Sequence, residues 1–379
     1  MNSEKVLMKG NEAISEAAIR AGCGAYFGYP ITPQNEITAY MAKNMLDRGR
    51  VFIQAESEVA AINMVYGASC AGARAMTSSS SPGISLKQEG MSYAAGADVP
   101  LVLVNVVRGG PGLGSIAPSQ ADYFQSTRGG GHGDYYCIVL APKSVQECAD
   151  FTYEAFDLAD TYRVPVIVQA DGMIGQMMEG VVLPGERDLT GLPKRDWAVG
   201  NMKGSAGGRP SRHITSINLV PEQLEKITRD RFARYDEIKA KETRCEYIAP
   251  GASTGRVYKS AAAEGLEAGA DITLAAYGTS ARVCLGAKLL AERAGVKVGL
   301  FRPVTLWPFP YKALGAAAGG KPVLVVEMSL GQLVEDVRLS TLEAPAASPR
   351  AEVHLLGHSG GVIPTEEEVF AKIKEITGK

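Results

Sequence analysis

Four short stretches hold residue types that can do chemistry together. In GYPITPQNEI, Thr32 stands between Pro30 and Pro33, where the apolar run AYFGY stops. Proline has no N–H to donate and fixes φ, so this pair ends a central strand. In ESE, Glu56 and Glu58 follow the apolar segment VFIQA. SSSSPG, Ser78 to Gly83, offers small residues that let a ligand approach the backbone closely. Arg108 directly follows the apolar run PLVLVNVV and precedes GGPGLGS. A hydroxyl, a carboxylate and a guanidinium of this kind can hold a substrate carboxylate or carbonyl and share a proton with a ligand nitrogen.

Each residue also has a plainer reading. Thr32 before Pro33 fits an N-cap with proline at N1, although a helix start after a strand also favours anions. A Glu in the first turn of a helix is favoured by the macrodipole, and periodicity does not choose between Glu56 and Glu58. SSSSPG is also a turn. Arg108 can form an ion pair within the protein. The glycines of GGPGLGS alternate, so the loop is no GxGxxG dinucleotide fingerprint.

These residues need elements to position them. Asn11 caps a predicted helix from about Glu12 to Ala21, AYFGY is a strand, and a helix runs from Pro33 to about Asp47. VFIQAE, RAMTSS, PLVLVNVV, YYCIVLAP and PVIVQAD read as further strands. Helices fall over Glu56 to Ala71, over SPGISLKQEGMSYAAGA, and from Val145 to about Tyr162 with Ser144 as cap. This is a doubly wound α/β domain, residues 1–182. Open parallel sheets bind ligands at the carboxyl ends of their strands, and all four stretches follow strands. They therefore converge on one edge. Residues 183–251 form a connecting segment, with the turn-rich GNMKGSAGGRPSRH and a charged helical stretch, PEQLEKITRDRFARYDEIKAKETRCEYI. Strand and helix patterns alternate again over 252–379, a second, smaller α/β domain.

Composition narrows the function by exclusion. The 379 residues are 46% hydrophobic and 21% charged, enough to bury two or three domain cores. The net charge of −2 shows neither a nucleic-acid-binding nor a membrane-surface balance. The six cysteines are scattered without a CxxC pair, so no iron–sulfur cluster or metal site is expected on this chain, and a reducing compartment is. A polar N-terminus and the lack of a long apolar run lead us to expect a cytoplasmic protein with no membrane span.

In order along the chain, YPITP, ESEVAA, SSSSPGISL, NVVRGGPG and RGGGHGD resemble the alpha subunit of the thiamine-diphosphate-dependent 2-oxoacid:ferredoxin oxidoreductases. AYGTSARV and VLVVEMSLGQL carry the resemblance into the second domain, which is similar to a transketolase C-terminal domain. SSPGISLKQEGMSYAAGADVP and PSQADYFQSTRGGGHGD are similar to the branched-chain, 2-ketoisovalerate type.

The resemblance implies a pyrimidine-binding domain and CoA-dependent oxidative decarboxylation of a 2-oxoacid, with electrons passed to ferredoxin. It implies that the diphosphate and its Mg sit on a separate beta subunit, and iron–sulfur clusters on partner chains: a gamma or ferredoxin-like subunit. Consistent with that division, the chain has no GDG motif followed by Asn; GHGD and QADG do not fit it. By the same resemblance Glu58 would hydrogen-bond the pyrimidine N1′, Thr32 would contact the substrate's oxo or carboxylate group, and Arg108 would help hold the carboxylate. Ser81 and Gly83 would border the cofactor rings. His132 lies in a loop that is either a turn or a further border of the site. Other 2-oxoacids (2-oxoglutarate, pyruvate, aryl analogues) and a non-catalytic assembly subunit are the alternatives.

Overall fold

The structure is a computed structural model, and it describes residues 4–199, 212–259, 266, 268–343 and 350–379. Most of GNMKGSAGGRPSRH lies outside the described residues.

The chain begins with β1 (Val6–Lys9) and α1 (Gly10–Arg20), then alternates through β2 (Ala25–Gly28), α2 (Asn35–Asp47), β3 (Val51–Gln54) and α3 (Glu58–Cys70). β4 (Ala75–Ser79), α4 (Pro82–Gly96), β5 (Leu101–Val107) and the short α5 (Tyr123–Thr127) follow. β6 (Ile138–Leu140), α6 (Val145–Tyr162), β7 (Pro165–Asp171), α7 (Gly172–Gln176) and β8 (Met178–Val181) complete the first part. Strands β6, β7, β5, β4, β2 and β3 lie side by side in that order, all parallel. β5 sits in the middle with all seven residues buried, which is why it reads as an apolar run with no polar face. β1 and β8 form a separate antiparallel ribbon.

Two helix starts differ from the sequence expectation. α1 is capped by Lys9, whose backbone N–H donates to Glu12 Oε2 at 3.0 Å. Asn11 is buried inside that helix and donates its side-chain amide to the Pro33 carbonyl at 2.8 Å. α2 starts at Asn35, with Gln34 at the cap position, so Thr32 caps no helix. Residues 31–34 close a turn first, the Gln34 N–H donating to the Ile31 carbonyl at 3.0 Å. Among the described residues the Thr32 hydroxyl meets only the Asn35 side-chain amide, at 3.3 Å. At α6, by contrast, Ser144 accepts the Glu147 N–H at 3.1 Å, as its position predicts.

The remaining elements are α8 (Pro221–Glu242), β9 (Arg244–Ile248), β10 (Arg256–Lys259), β11 (Ile272–Ala275), α9 (Gly278–Arg293), β12 (Val298–Pro303) and β13 (Thr305–Trp307). After them come α10 (Tyr311–Ala318), β14 (Val323–Glu327), α11 (Leu333–Ser340), β15 (Val353–Gly357) and α12 (Glu366–Thr377). RCEYI, placed in the charged helix by its neighbours' charges, is the buried strand β9. Its arginine is neutralised by Glu154 at 2.6 Å and Glu242 at 2.7 Å. The second sheet runs β10, β9, β12, β11, β14, β15, with its last four strands parallel. A line drawn between residues 251 and 252 passes through this sheet. β13 crosses the other way and pairs antiparallel with β6, giving the first sheet its seventh strand. Behind it, Trp307 stacks on Tyr136 at 4.8 Å, and Tyr235 of α8 closes edge-on against both rings.

The two units share a polar seam. Gln120 accepts from the Met328 N–H and from Ser280, and donates to the Tyr277 carbonyl at 2.8 Å. Asp171, at the end of β7, accepts the Thr279 N–H and hydroxyl at 2.8 and 2.7 Å. Arg302 is buried between Glu147 and Glu246. No helix among the described residues is long and apolar enough to cross a membrane.

Candidate active site

The carboxyl ends of β2, β3, β4 and β5 face one edge, and the loops after them carry the residues singled out above. Tyr26 on β2, Ser78 on β4 and Gln34 form a buried chain. The Ser78 hydroxyl donates to Gln34 Oε1 at 2.6 Å and lies 2.7 Å from the Tyr26 hydroxyl. Gln34 donates onward to the Tyr29 carbonyl. This chain holds the YPITP turn against the sheet, with Thr32 half-buried at its tip.

Arg108 is buried and spans two loops. Its guanidinium donates to the Thr32 carbonyl at 2.9 Å and to the Leu113 carbonyl at 2.8 Å. Its Nε is buried without a partner among the described residues. Two bonds to backbone carbonyls fix where Thr32 and the 109–114 loop stand, so Arg108 makes neither the internal ion pair of the plain reading nor a free fork. Ser81 joins the same group: its hydroxyl accepts the Arg108 N–H at 3.0 Å. Its own N–H donates to Asn105 at 3.3 Å, and Asn105 donates to Asp122 at 2.8 Å. Burial pushes the Asp122 carboxyl above its ordinary range, against the bonds from Asn105 and Ser81.

The structure separates the two acids that periodicity leaves equal. Ser57 caps α3 by accepting the Ala60 N–H at 3.1 Å, which leaves Glu56 outside the helix and exposed. Glu58 is the first helical residue and is buried, yet its carboxylate makes no hydrogen bond among the described residues. Opposite it stands Gly83, in the first turn of α4. A Cβ on Gly83 would lie 2.1 Å from the Ser79 hydroxyl and 2.5 Å from Glu58 Oε1. The Ser79 and Ser80 hydroxyls are buried and also unpartnered. Gly83→Ala is therefore expected to displace Glu58 or Ser79 at a cost of about 1–3 kcal/mol. A lower melting temperature and a parallel loss of activity in the assembled enzyme check it.

His132 does not join this group. It is exposed and lines a groove of about 1140 Å³ under α8, with Tyr93, Tyr135, Arg231 and Phe232. That groove meets the C-terminal end of α4, whereas Gly83 is at its start, roughly 20 Å away along a helix rising 1.5 Å per residue. Gln34, Asn105 and Lys87, which packs beside Glu58, are polar residues of the site that sequence reasoning missed. The signals were present: an Asn inside an apolar strand, and a Lys one helical turn after Gly83.

This edge offers a carboxylate with no hydrogen bond among the described residues and two unpartnered hydroxyls, packed closely on a glycine, which can meet a ligand ring with a protonatable nitrogen. Nothing in it suits a diphosphate, and among the described residues no cluster of three His, Cys, Asp or Glu could hold a metal.

Comparison with known proteins gives the family. Residues 16–246 match the family described as pyruvate flavodoxin/ferredoxin oxidoreductase, thiamine diphosphate binding. Residues 270–369 match pyruvate:ferredoxin oxidoreductase core domain II. The chain belongs to the thiamine-diphosphate-dependent 2-oxoacid:ferredoxin oxidoreductases. Within that family it is 45% identical to the ketoisovalerate oxidoreductase subunit VorB of Methanothermobacter marburgensis, over 98% of both chains. It is 41% identical to the 2-oxoglutarate synthase subunit KorA of Archaeoglobus fulgidus, over 88% of this chain and 91% of that one. A solved 2-oxoglutarate:ferredoxin oxidoreductase from Magnetococcus marinus, with 2-oxoglutarate, coenzyme A and succinyl-CoA bound, matches 99% of this chain at 28% identity, with a TM-score of 0.81. This chain spans 66% of that longer one.

Proposed function

We propose that this chain is the pyrimidine-facing alpha subunit of an enzyme that decarboxylates 2-ketoisovalerate, or a similar branched-chain 2-oxoacid, to its acyl-CoA. The observation that carries the reading is the Glu58 carboxylate, which faces Gly83 and makes no hydrogen bond among the described residues. A carboxylate that the fold places at a strand-end edge without a partner of its own is open to a ligand's hydrogen bond. Similarity to a ketoisovalerate oxidoreductase subunit supports the branched-chain substrate. So do Leu113 and Ile116, exposed apolar residues on the loop that Arg108 ties to Thr32. The 2-oxoglutarate relatives support the alternative substrate.

Thiamine diphosphate, when bound, supplies the electron sink for decarboxylation. Glu58 would hold or release a proton at the pyrimidine nitrogen, with α3 and α4 excluding water from that bond. Ser81 and Gly83 would border the ring. Thr32 would donate its hydroxyl to the oxo or carboxylate group of the substrate. Arg108 would place Thr32 and add its positive charge near that carboxylate. A beta subunit would carry the diphosphate and Mg. A gamma or ferredoxin-like subunit would carry iron–sulfur clusters toward ferredoxin in the cytoplasm.

The test is CoA-dependent reduction of ferredoxin or a dye by the chain purified with its co-expressed partners. The substrates are 2-ketoisovalerate, 2-oxoglutarate, pyruvate and an aryl 2-oxoacid. Preference for 2-ketoisovalerate is expected; no activity with any of the four would sink the proposal. Because Thr32 caps no helix, Thr32→Ala is expected to leave the melting temperature within a few degrees. It should lower kcat/KM by roughly 10–100-fold, the worth of one hydrogen bond made to a charged group. A loss confined to stability would remove Thr32 from the site.

A further inference from the structure

Lys87 is a buried charge to which the proposed reaction gives no task. It lies on α4 one turn after Gly83, so the two share a helix face, toward α3. None of its side chain reaches solvent. Its Nζ donates to the Thr77 hydroxyl on β4 at 3.1 Å and reaches the Glu58 backbone carbonyl at 3.5 Å. Two neutral oxygens, one at the limit of hydrogen-bonding distance, do not offset the burial of an ammonium. Methionine would fill the same space without that cost. The ammonium therefore calls for another explanation, and the charged group that acts on it is Glu58.

Resting on the reading of Glu58 given above, we propose that Lys87 is a positioning residue for Glu58, its ammonium packed behind the first turn of α3 and governing where the shared proton comes to rest. A charged Lys87 keeps negative charge on the Glu58 carboxylate and leaves the proton on the ring nitrogen. A neutral Lys87 lets the proton return toward the carboxylate. Burial lowers Lys87 to about 7, against the opposing attraction of Glu58, so its charge changes within the physiological range. Glu58 acts on it from α3, β4 presents the neutral Thr77 hydroxyl, and Glu89 on α4 itself is turned to Tyr93 at the exposed face.

Lys87→Met in the assembled complex tests the role through two readouts. One is the pH profile of kcat. The other is the number of protons taken up or released when thiamine diphosphate binds the cofactor-stripped complex, from calorimetry near pH 7 in buffers of different ionisation enthalpy. Wild type is expected to lose rate as pH rises through about 7. Lys87→Met should lack that limb, run about tenfold slower at low pH, and show a changed proton count, while melting no lower than wild type. Thr77→Val removes one oxygen from Nζ and keeps its shape; it should move the limb to lower pH, and it decides the matter if Lys87→Met does not assemble. Matching pH profiles and proton counts in wild type and Lys87→Met would overturn the proposal, as would an unmoved limb in Thr77→Val. Glu58→Gln separates the two failures. If it is slow while Lys87→Met behaves as wild type, only the role of Lys87 falls. If Glu58→Gln keeps wild-type rate and proton count, the reading of Glu58 falls as well.

Discussion

Glu58→Gln is expected to cost the assembled enzyme about 2–3 kcal/mol or more of transition-state stabilisation, roughly a hundredfold in rate, with little change in folding. Glutamine matches glutamate in shape and can still donate or accept a hydrogen bond. It cannot give or take a proton at a ring nitrogen. The usual objection to such a test, that a buried substitution unfolds the protein, carries little weight at this position. Among the described residues the carboxylate makes no hydrogen bond that the amide would break. Rates for the substrate panel, measured beside thermal melts, separate the two effects. A near-wild-type rate would return the role to Glu56 or move it elsewhere.

Arg302→Ala is expected to show the opposite pattern, a large loss of stability at a position remote from the Glu58 edge. The Arg302 guanidinium bonds Glu147 at 2.7 Å, Glu246 at 2.8 Å and the Ala141 carbonyl at 3.2 Å. Lys143 also holds Glu246, at 2.6 Å. Removing one partner of a buried ion pair leaves an uncompensated charge, at a cost of about 3–5 kcal/mol. For a chain of this size that corresponds to roughly 10 °C in melting temperature. The pH dependence has a definite sign. Burial raises the Glu246 carboxyl, but Arg302 and Lys143 outweigh it and hold the group below the ordinary carboxylate range. Between the two values the unfolded chain binds more protons than the folded one, so stability rises with pH there. The contribution of Glu246 is complete above the ordinary carboxylate value and fades as pH falls through the lowered one. Melts from pH 3 to 7 should show a shallower acid-side slope in Arg302→Ala than in wild type.

The fold was most legible where local pattern and burial agree. The run PLVLVNVV is β5 because a strand covered on both faces has no polar side to show, and Ser144 marks the start of α6 through its own hydroxyl. The site edge was legible for a related reason: the loops after parallel strands must come to one side, whatever their sequences. What stayed hidden depends on partners distant in the chain. RCEYI looks like the end of a charged helix until Glu154 is seen to neutralise Arg244. β13 is three residues long, and only its partner β6 makes it a strand. Thr32 looks like a cap until the turn closed by Gln34 moves the helix start past it. The choice between Glu56 and Glu58 rests on where α3 begins, a matter of one turn of backbone that alternation of residue types does not register.

The crossing of β13 onto the first sheet has a consequence for any attempt to divide this chain. A fragment ending near residue 251 would contain β9 and lack β12, and would contain β6 and lack β13. Both orphaned strands would present unpaired N–H and C=O groups, the usual template for self-association. The Tyr136 ring would lose the indole that stacks on it. The thiamine-binding part is therefore no module to be expressed or grafted on its own. The smallest piece of this subunit that closes its own edges reaches past Trp307 and takes the second sheet with it.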